Sequence, residues 1–389
     1  MKHYIWHRVI FTLLRILVTP FIKLSMGYRC KKAKGPDAPT LILANHNTDI
    51  DPALVALGFS RHMYFVASEH ALRKGFFSKV LSFVFAPIAI NKTQMDAFSV
   101  KEILHRLKAG FNVCLFAEGN RSYTGVTGAI SPSTAKLVKI SKAALITYRL
   151  EGGYLTTPRW AKNKRKGKIA GSVVGRYSPE ELAAMTNEQI QSVIERDLHE
   201  DAYKRQEENP VPYRGKDLAE HIEMVLYLCP ACKKIGTIHS RGDYFSCSCG
   251  LHARYTETGF LEGDSLLFST VTDWNYWQTE YLETMVSDYG DGLVLTDERQ
   301  QLFLVQAAEG TSLLGEGILQ MSRTALSCAG LTFPLEQIAR MAIVDRMTLL
   351  FALNDGTEYE IRSAEPRSAL KYVEMFRIVN DGTLVLSAV

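Results

Sequence analysis

The sequence predicts an α/β domain with a mostly parallel sheet flanked by helices, followed by a cysteine-rich segment and a β-rich C-terminal domain. Three observations carry this prediction. Short apolar runs alternate with helical patterns in the first half, which is typical of parallel sheets. Four cysteines cluster between residues 229 and 249, and short β-like stretches dominate beyond residue 291. A length of 389 residues is enough for two or three domains at about 150 residues each.

The first element is a predicted amphipathic helix over residues 1–28. Its polar residues recur every three or four positions and form one stripe: Arg8, Thr12, Arg15, Thr19 and Lys23. The three cations interrupt the apolar run of about 18 residues that a membrane span requires. The pattern therefore favours a helix lying in the interface of an anionic membrane surface. The alternative is a helix packed on the core of the protein itself.

Charge is distributed unevenly along the chain, although the net charge is only +4. Residues 1–177 contain 28 Lys and Arg against 8 Asp and Glu, a net charge of +20, and the remainder has a net charge of −16. Such asymmetry indicates an anionic partner for the first half. Nucleic acid, an anionic membrane surface and a phosphorylated substrate are the candidates.

The α/β domain is predicted over residues 29–220. Its buried strands are read from short apolar runs at residues 40–44, 62–67, 111–116 and 143–148. A fifth apolar run, residues 86–90, is followed closely by the cation Lys92. Helical patterns lie between these runs, so parallel pairing is expected.

Two polar loops follow predicted strands. In the first, His46 and Asp51 lie at either end of a loop after residues 40–44, with Asp51 suited to the N-cap of a helix and Pro52 to its first turn. An Asp that binds one imidazole nitrogen fixes the tautomer, so that the other nitrogen can act as a base. The second loop, Glu118-Gly-Asn-Arg121, follows residues 111–116. Since sites form at the carboxyl ends of parallel strands, both loops are expected to converge.

These blocks resemble the lysophosphatidate (1-acyl-sn-glycerol-3-phosphate) acyltransferase family, in the glycerolipid acyltransferase superfamily. The Asn-His-x4-Asp block is residues 45–51, and the Ile-Asp-Arg-like block is residues 90–92, here Ile-Asn-Lys. The Phe-Pro-Glu-Gly-Thr-Arg-Ser block is residues 116–122, with Ala for Pro and Asn for Thr. The fourth block is residues 145–148, where Thr147 stands for the usual Pro.

The resemblance implies transfer of a fatty acyl chain from an acyl-carrier-protein or coenzyme A thioester to the hydroxyl of 1-acyl-glycerol-3-phosphate, giving phosphatidate for phospholipid synthesis. His46 is the implied catalytic base and Asp51 orients it. The implied substrate-binding residues are Lys92, Glu118, Gly119 and Arg121. No catalytic cofactor is implied. The expected location is the cytoplasmic face of the membrane, with peripheral, monotopic attachment.

The second chemical signal is the cluster Cys229-Pro-Ala-Cys232 and Cys247-Ser-Cys249. Two cysteine pairs around a short hairpin are typical of a zinc ribbon, predicted here over residues 225–258 with all four thiolates on a structural zinc ion. The second pair has one intervening residue rather than two, so His239 and His252 are conceivable substitute ligands. Two disulfides or a metal-free hairpin are the alternatives.

The remaining chain is predicted as a helical connector over residues 259–290 and a β-rich domain over residues 291–389. Six short stretches have β character: residues 292–295, 301–307, 317–322, 335–344, 348–353 and 357–362. A closing helix is predicted from Pro366 to Val379. This order resembles a pleckstrin-homology-like barrel. An unrelated small α+β module is the alternative.

Other functions remain open at this point. The acceptor could be another lysophospholipid or a glycolipid. The chain could instead be a zinc-ribbon adaptor, or a lipid-binding scaffold with a degenerate acyltransferase half. We do not expect the ribbon to bind nucleic acid. Between the outer cysteines there are three cations, Lys233, Lys234 and Arg241, and one acid, Asp243, which is too little positive charge to neutralise a phosphate backbone.

Overall fold

The computed structural model describes residues 2–31, 33, 39–68, 86–90, 97–306 and 310–381. The chain divides into two compact units. The first contains Met1–Arg159 and Lys164–Arg214, and the second contains Trp160–Asn163 and Gly215–Ser387.

The first unit is built on a seven-stranded sheet with the order β1-β7-β6-β2-β5-β3-β4. Its strands are β1 (Tyr28–Cys30), β2 (Thr40–Ala44), β3 (Met63–Ser68), β4 (Ile88–Ile90), β5 (Asn112–Phe116), β6 (Ala144–Glu151) and β7 (Ile169–Tyr177). Neighbouring strands are parallel except for the antiparallel pair β6 and β7. The predicted α/β domain with a mostly parallel sheet is therefore confirmed.

Helices cover both faces of this sheet. They are α1 (Lys2–Met26), α2 (Asp51–Gly58), α3 (Ala97–Lys108), α4 (Pro132–Ser141), α5 (Gly153–Thr156), α6 (Pro179–Ala184), α7 (Asn187–Leu198) and α8 (Ala202–Glu208). Successive β2 side chains point to opposite faces. Leu41 and Leu43 join the core under α3, α4, α6 and α7, whereas Ile42 and Ala44 join the core with α1 and α2. Burial on both faces explains why β2 is apolar throughout.

Helix α1 has two distinct faces. Phe11 and Ile22 are buried against the first unit, and Arg15 Nη1 donates to the carbonyl of Phe59 at 2.5 Å. The opposite face exposes large apolar side chains: Trp6, Val9, Leu13, Ile16, Leu17, Phe21 and Leu24. Arg15 was expected in a stripe turned toward headgroups, and the structure corrects this, because the polar stripe lies beside the face that packs on the unit.

By length and composition alone, α1 could cross a membrane. The segment Trp6–Met26 has a mean hydropathy of 1.8. The three cations therefore do not exclude a span, contrary to the expectation from the sequence.

The second unit contains a small antiparallel sheet with the order β11-β10-β9-β8 and a larger one with the order β15-β14-β13-β12-β18-β17-β16. The small sheet consists of β8 (Ile238–Arg241), β9 (Tyr244–Cys247), β10 (His252–Tyr255) and β11 (Leu261–Glu262). The larger sheet consists of β12 (Leu295–Gln306), β13 (Gly310–Met321), β14 (Ala325–Cys328), β15 (Leu331–Pro334), β16 (Ile338–Val344), β17 (Thr348–Leu353) and β18 (Glu358–Ser363). Two longer helices complete the unit, α9 (Val271–Tyr289) and α10 (Leu370–Asp381).

The larger sheet differs in detail from the sequence prediction. β12 and β13 are long partners of 12 residues each, where three short stretches were expected. β14 and β15 were missed because each has four residues, too few to show a period. The closing helix begins at Leu370 rather than at Pro366.

Candidate functional site

The two polar loops lie side by side at the carboxyl ends of strands β2 and β5 of the first sheet. β2 and β5 are adjacent and parallel, with Ala44 paired to Phe116. Beyond the strand ends, the Ser122 N–H donates to the carbonyl of His46 at 3.0 Å. The structure therefore brings His46, Asp51, Glu118, Gly119 and Arg121 together, as parallel strands with adjacent carboxyl ends require.

His46 and Asp51 form a direct pair. His46 Nδ1 lies 2.8 Å from Asp51 Oδ2, and the Asp51 side chain is fully buried. Oδ2 also accepts from the backbone N–H groups of Asn47 and Thr48, and Oδ1 accepts from the Thr48 hydroxyl. An acceptor-only carboxylate held in this way fixes the tautomer that places the His46 proton on Nδ1.

Asp51 is the first residue of α2, and Ile50 occupies the N-cap position without a side-chain bond. The sequence suggested Asp51 as the cap. Its carboxylate turns to the loop instead, because two loop N–H groups and His46 satisfy it.

The other ring nitrogen of His46 is available for chemistry. Nε2 has no hydrogen-bond partner in the described part of the chain, and the side chain is 21% exposed. The ring stacks on Phe116 with centroids 4.4 Å apart. An imidazole oriented in this way at a strand end, with its second nitrogen unpartnered among the described residues, has the geometry of a general base.

Two asparagines anchor the loop to the neighbouring strand β6. Asn45 accepts from the N–H of Leu150 at 2.7 Å and donates to its carbonyl at 2.8 Å. Asn47 Nδ2 donates to the same carbonyl at 3.1 Å. Sequence reasoning did not assign a role to either asparagine, because their partner lies more than a hundred residues away.

Glu118 binds backbone groups of two loops. Oε1 accepts from the N–H of His46 and Oε2 from the N–H of Gly128, each at 2.6 Å. Burial raises the pKa of Glu118 to about 8, although these two N–H groups oppose the rise. The structure thus shows Glu118 joining the His46 loop to Gly128, rather than presenting a free carboxylate to a ligand.

Arg121 and Gly119 complete the second loop. Arg121 is 10% exposed, and its Nη1 lies 3.2 Å from Oδ2 of the exposed Asp49. This ion pair was not predicted from the sequence. Gly119 has a φ of +71°, a conformation that favours glycine and allows the sharp turn after β5. Lys92, the remaining predicted substrate-binding residue, lies outside the described residues.

In the second unit, four thiols form a compact cluster. The Sγ atoms of Cys229, Cys232, Cys247 and Cys249 all lie within 4.8 Å of one another. Cys229 and Cys249 are 3.7 Å apart, as are Cys232 and Cys247. Tetrahedral ligation with Zn–S bonds of about 2.3 Å places sulfurs about 3.8 Å apart, whereas a disulfide needs about 2.05 Å. The four residues therefore fit a tetrahedral metal ion.

A tight turn explains how the short second pair reaches this geometry. Gly250 has a φ of +100°, and its N–H donates to the carbonyl of Cys247 at 3.0 Å. The turn brings Cys249 back to the cluster. His239 and His252, considered as substitute ligands, lie on the exposed face of the small sheet, and the cluster needs neither of them.

Comparisons with known proteins agree with the site in the first unit. The family model described as Acyltransferase matches residues 28–150. This segment contains both loops, so the region around the site is similar to that family. No curated protein sequence matches the chain.

Among solved structures, the chain is similar to the crystal structure of the 1-acyl-sn-glycerophosphate (LPA) acyltransferase PlsC from Thermotoga maritima. The identity is 17% and the TM-score 0.39, over 47% of this chain and 78% of that one. A likeness of this degree carries no functional argument.

Proposed function

We propose that the protein is a membrane-surface O-acyltransferase that moves a fatty acyl chain from an acyl-carrier-protein or coenzyme A thioester to the hydroxyl of 1-acyl-glycerol-3-phosphate. The product is phosphatidate. The observation that carries this proposal is the His46–Asp51 pair, whose Nε2 has no partner among the described residues, inside the segment that matches the acyltransferase family.

In the proposed reaction, His46 Nε2 removes the proton of the acceptor hydroxyl. The acceptor oxygen forms a bond to the thioester carbonyl carbon, and the carbon–sulfur bond breaks. The imidazolium then returns the proton to the departing thiolate. Asp51 holds Nδ1 throughout and stabilises the imidazolium. A positioned base of this kind typically accelerates proton transfer 10²–10⁴-fold.

The acceptor phosphate is assigned to Arg121, whose planar fork matches phosphate oxygens. Asp49 already holds one Nη atom at 3.2 Å, so a bound phosphate replaces that carboxylate. Lys92 is proposed as a second cation on the phosphate, as the family resemblance implies. Glu118 acts in this scheme through the backbone of His46.

Attachment to the membrane is assigned to α1. Because Phe11 and Ile22 are buried in the first unit, α1 cannot leave for the bilayer without exposing them. The opposite apolar face remains free to enter a membrane interface. We therefore propose monotopic attachment to an anionic surface on the cytoplasmic face, where the free cysteines of the chain stay reduced.

The cysteine cluster is proposed to hold one structural zinc ion through Cys229, Cys232, Cys247 and Cys249. The metal would supply folding energy to the ribbon and takes no part in acyl transfer. For the C-terminal sheet we propose a pleckstrin-homology-like domain. The support is a seven-stranded antiparallel sheet in which the meanders β12–β15 and β16–β18 are joined by pairing of β12 with β18, followed by α10.

The proposed function is tested by thioester consumption against a panel of acceptors: lysophosphatidate, other lysophospholipids and a glycolipid. We expect the largest kcat/KM for lysophosphatidate, and dependence on His46 for every acceptor. Equal rates with and without an acceptor would contradict acyl transfer to a hydroxyl. A larger kcat/KM for an uncharged glycolipid would contradict the assignment of the acceptor.

A further inference from the structure

The small sheet of the second unit has an exposed face formed by two cross-strand rows. Arg241, Tyr244 and Arg254 form one row, because Tyr244 pairs with both arginines in the strand register. His239, Ser246 and His252 form the next row in the same way, with Ser246 in the middle. We call these six residues the ribbon face. The register, and not the sequence, reveals it, since Arg254 lies beyond the last cysteine.

The two arginines of the ribbon face have no acidic partner in the part of the chain that the structure describes. Neither Arg241 nor Arg254 has a salt-bridge or side-chain hydrogen-bond partner among the residues that the structure describes. Glu262 pairs with Arg254 in the register and is exposed, yet no ion pair joins the two side chains. Tyr244 is 47% exposed and stacks on His252 with centroids 5.4 Å apart.

The opposite face of the same strands is buried in the second unit, so the ribbon face points toward solvent. Ile238, Phe245, Ala253 and Tyr255 are all buried. Phe245 packs against Trp274 of α9 with centroids 5.9 Å apart. The Trp274 indole N–H also donates to the carbonyl of Leu228 at 2.9 Å, beside the cysteine cluster. The strands therefore present the ribbon face outward on a rigid support.

We propose that the ribbon face docks on the anionic headgroups of a lipid bilayer. Arginine forks bind lipid phosphates, and a tyrosine ring between them suits the headgroup level of an interface. The face is a short sheet surface rather than a groove, so it fits a surface of many headgroups. Two arginines are few for a polynucleotide backbone, and the Tyr244 ring is already stacked on His252, which leaves less of it for a base. The proposal rests on the membrane location proposed above and not on acyl transfer.

The test is vesicle sedimentation with the full chain and the double variant R241Q/R254Q. Vesicles of phosphatidylcholine alone are compared with vesicles that also contain phosphatidylglycerol. Each basic residue near an anionic surface contributes about 1 kcal/mol, so the double variant should bind anionic vesicles about 30-fold more weakly. Binding to neutral vesicles should not change, because the ribbon face finds no charge there.

A matched control separates the effect of the ribbon face from the effects of net charge and of protein stability. Arg299 and Arg323 are exposed cations of the larger sheet of the same unit, and R299Q/R323Q makes the same change in net charge. The proposal expects this control to retain at least a third of the wild-type affinity. Equal losses in both double variants would overturn it, because the effect would then follow net charge alone.

Two further outcomes would also overturn the proposal. One is a double variant with wild-type affinity for anionic vesicles. The other is unchanged vesicle binding together with a selective loss of affinity for a single-stranded RNA oligonucleotide, which would assign the face to nucleic acid. Acyl transfer to a water-soluble, short-chain acceptor should be the same in the wild type and both variants. A failure of the ribbon face is therefore distinguishable from a failure of the proposed enzyme.

Discussion

The His46 loop and the cysteine cluster are both compact constellations, but different forces hold them. The His46 loop is held by hydrogen bonds from its backbone N–H groups to the buried carboxylates of Glu118 and Asp51. It follows a strand of the seven-stranded sheet. The four thiols lie on a small ribbon, where their Sγ atoms are all within 4.8 Å of one another. We propose that the first site works without a metal, whereas the second holds a cation that joins its four ligands. We therefore expect metal removal to affect the cysteine cluster, and substitution of hydrogen-bonding residues to affect the His46 loop.

The largest expected effect is on the second unit when metal is removed. Structural zinc contributes on the order of 10 kcal/mol or more to folding in comparable peptides. Chelation should therefore unfold the ribbon, and hydrogen exchange should rise at residues 229–249 and along α9, which packs on the ribbon through Trp274. Elemental analysis of the purified protein should give one zinc per chain. Four titratable thiols with no zinc would refute the metal site.

The comparison is sharpened by D51N, which leaves His46 in place and changes its partner. An amide cannot accept from Nδ1 and from two backbone N–H groups as a carboxylate does, so the tautomer is no longer fixed. We expect kcat/KM to fall by 10²-fold or more, with little change in KM. Steady-state kinetics on lysophosphatidate measures both. T48V, which removes only the hydroxyl bond to Asp51, should cost much less, and equal losses would indicate a purely structural role for Asp51.

A smaller effect is expected at Arg121. R121K keeps the charge and loses the fork, so the KM for lysophosphatidate should rise about tenfold, in line with 1.5–3 kcal/mol for a charged hydrogen bond. A monoacylglycerol acceptor, which has no phosphate, should be affected far less. R106K on α3 is the matched control, because Arg106 also pairs with one carboxylate. The same loss on both acceptors would show that Arg121 supports the loop and not the phosphate.

Asp49 should have the opposite and weaker effect. D49N removes the carboxylate that competes with a bound phosphate for Arg121. Since exposed ion pairs contribute about 0.2–1 kcal/mol, the KM for lysophosphatidate should fall up to about fivefold. E102Q, which breaks the Arg106 pair with the same change in charge, should leave KM unaltered. A higher KM in D49N would mean that Asp49 orients Arg121 for its substrate.

The last effect concerns the dependence of protein stability on pH through Glu118. Its pKa is raised in the folded state to about 8, so its contribution to stability is full below the unfolded-state pKa, about 4.3, and is lost as the pH rises through 8. The melting temperature of the wild type should fall between pH 5 and pH 8 by more than that of E118Q. Parallel profiles would show that Glu118 is ionised throughout that range.

Much of this architecture is readable from the sequence, because local patterns encode it. The strand and helix alternation predicts the first sheet, and the spacing of His46 and Asp51 after an apolar run predicts a loop at the carboxyl edge. Side chains with distant partners could not be predicted. The bonds from Asn45 and Asn47 to Leu150, and from Glu118 to Gly128, depend on the register of the sheet and on a neighbouring loop.

The same limit applies outside the site. The helical period of α1 gives a polar stripe, yet only the packed structure shows that Arg15 binds the Phe59 carbonyl instead of facing a membrane. Likewise, the ribbon face arises from pairing across three strands. The period of a helix or strand predicts which side chains share a face, but it does not predict what that face contacts.

We propose that His46 is the general base of acyl transfer and that its site needs no metal. The most direct measurement is single-turnover acyl transfer by the wild type and H46A, each with and without a zinc chelator, with circular dichroism to verify that H46A folds. We predict a fall of 10²–10⁴-fold in H46A and an unchanged first turnover in the chelated wild type. Near-normal turnover by a folded H46A, or immediate loss of wild-type activity on chelation, would contradict the claim.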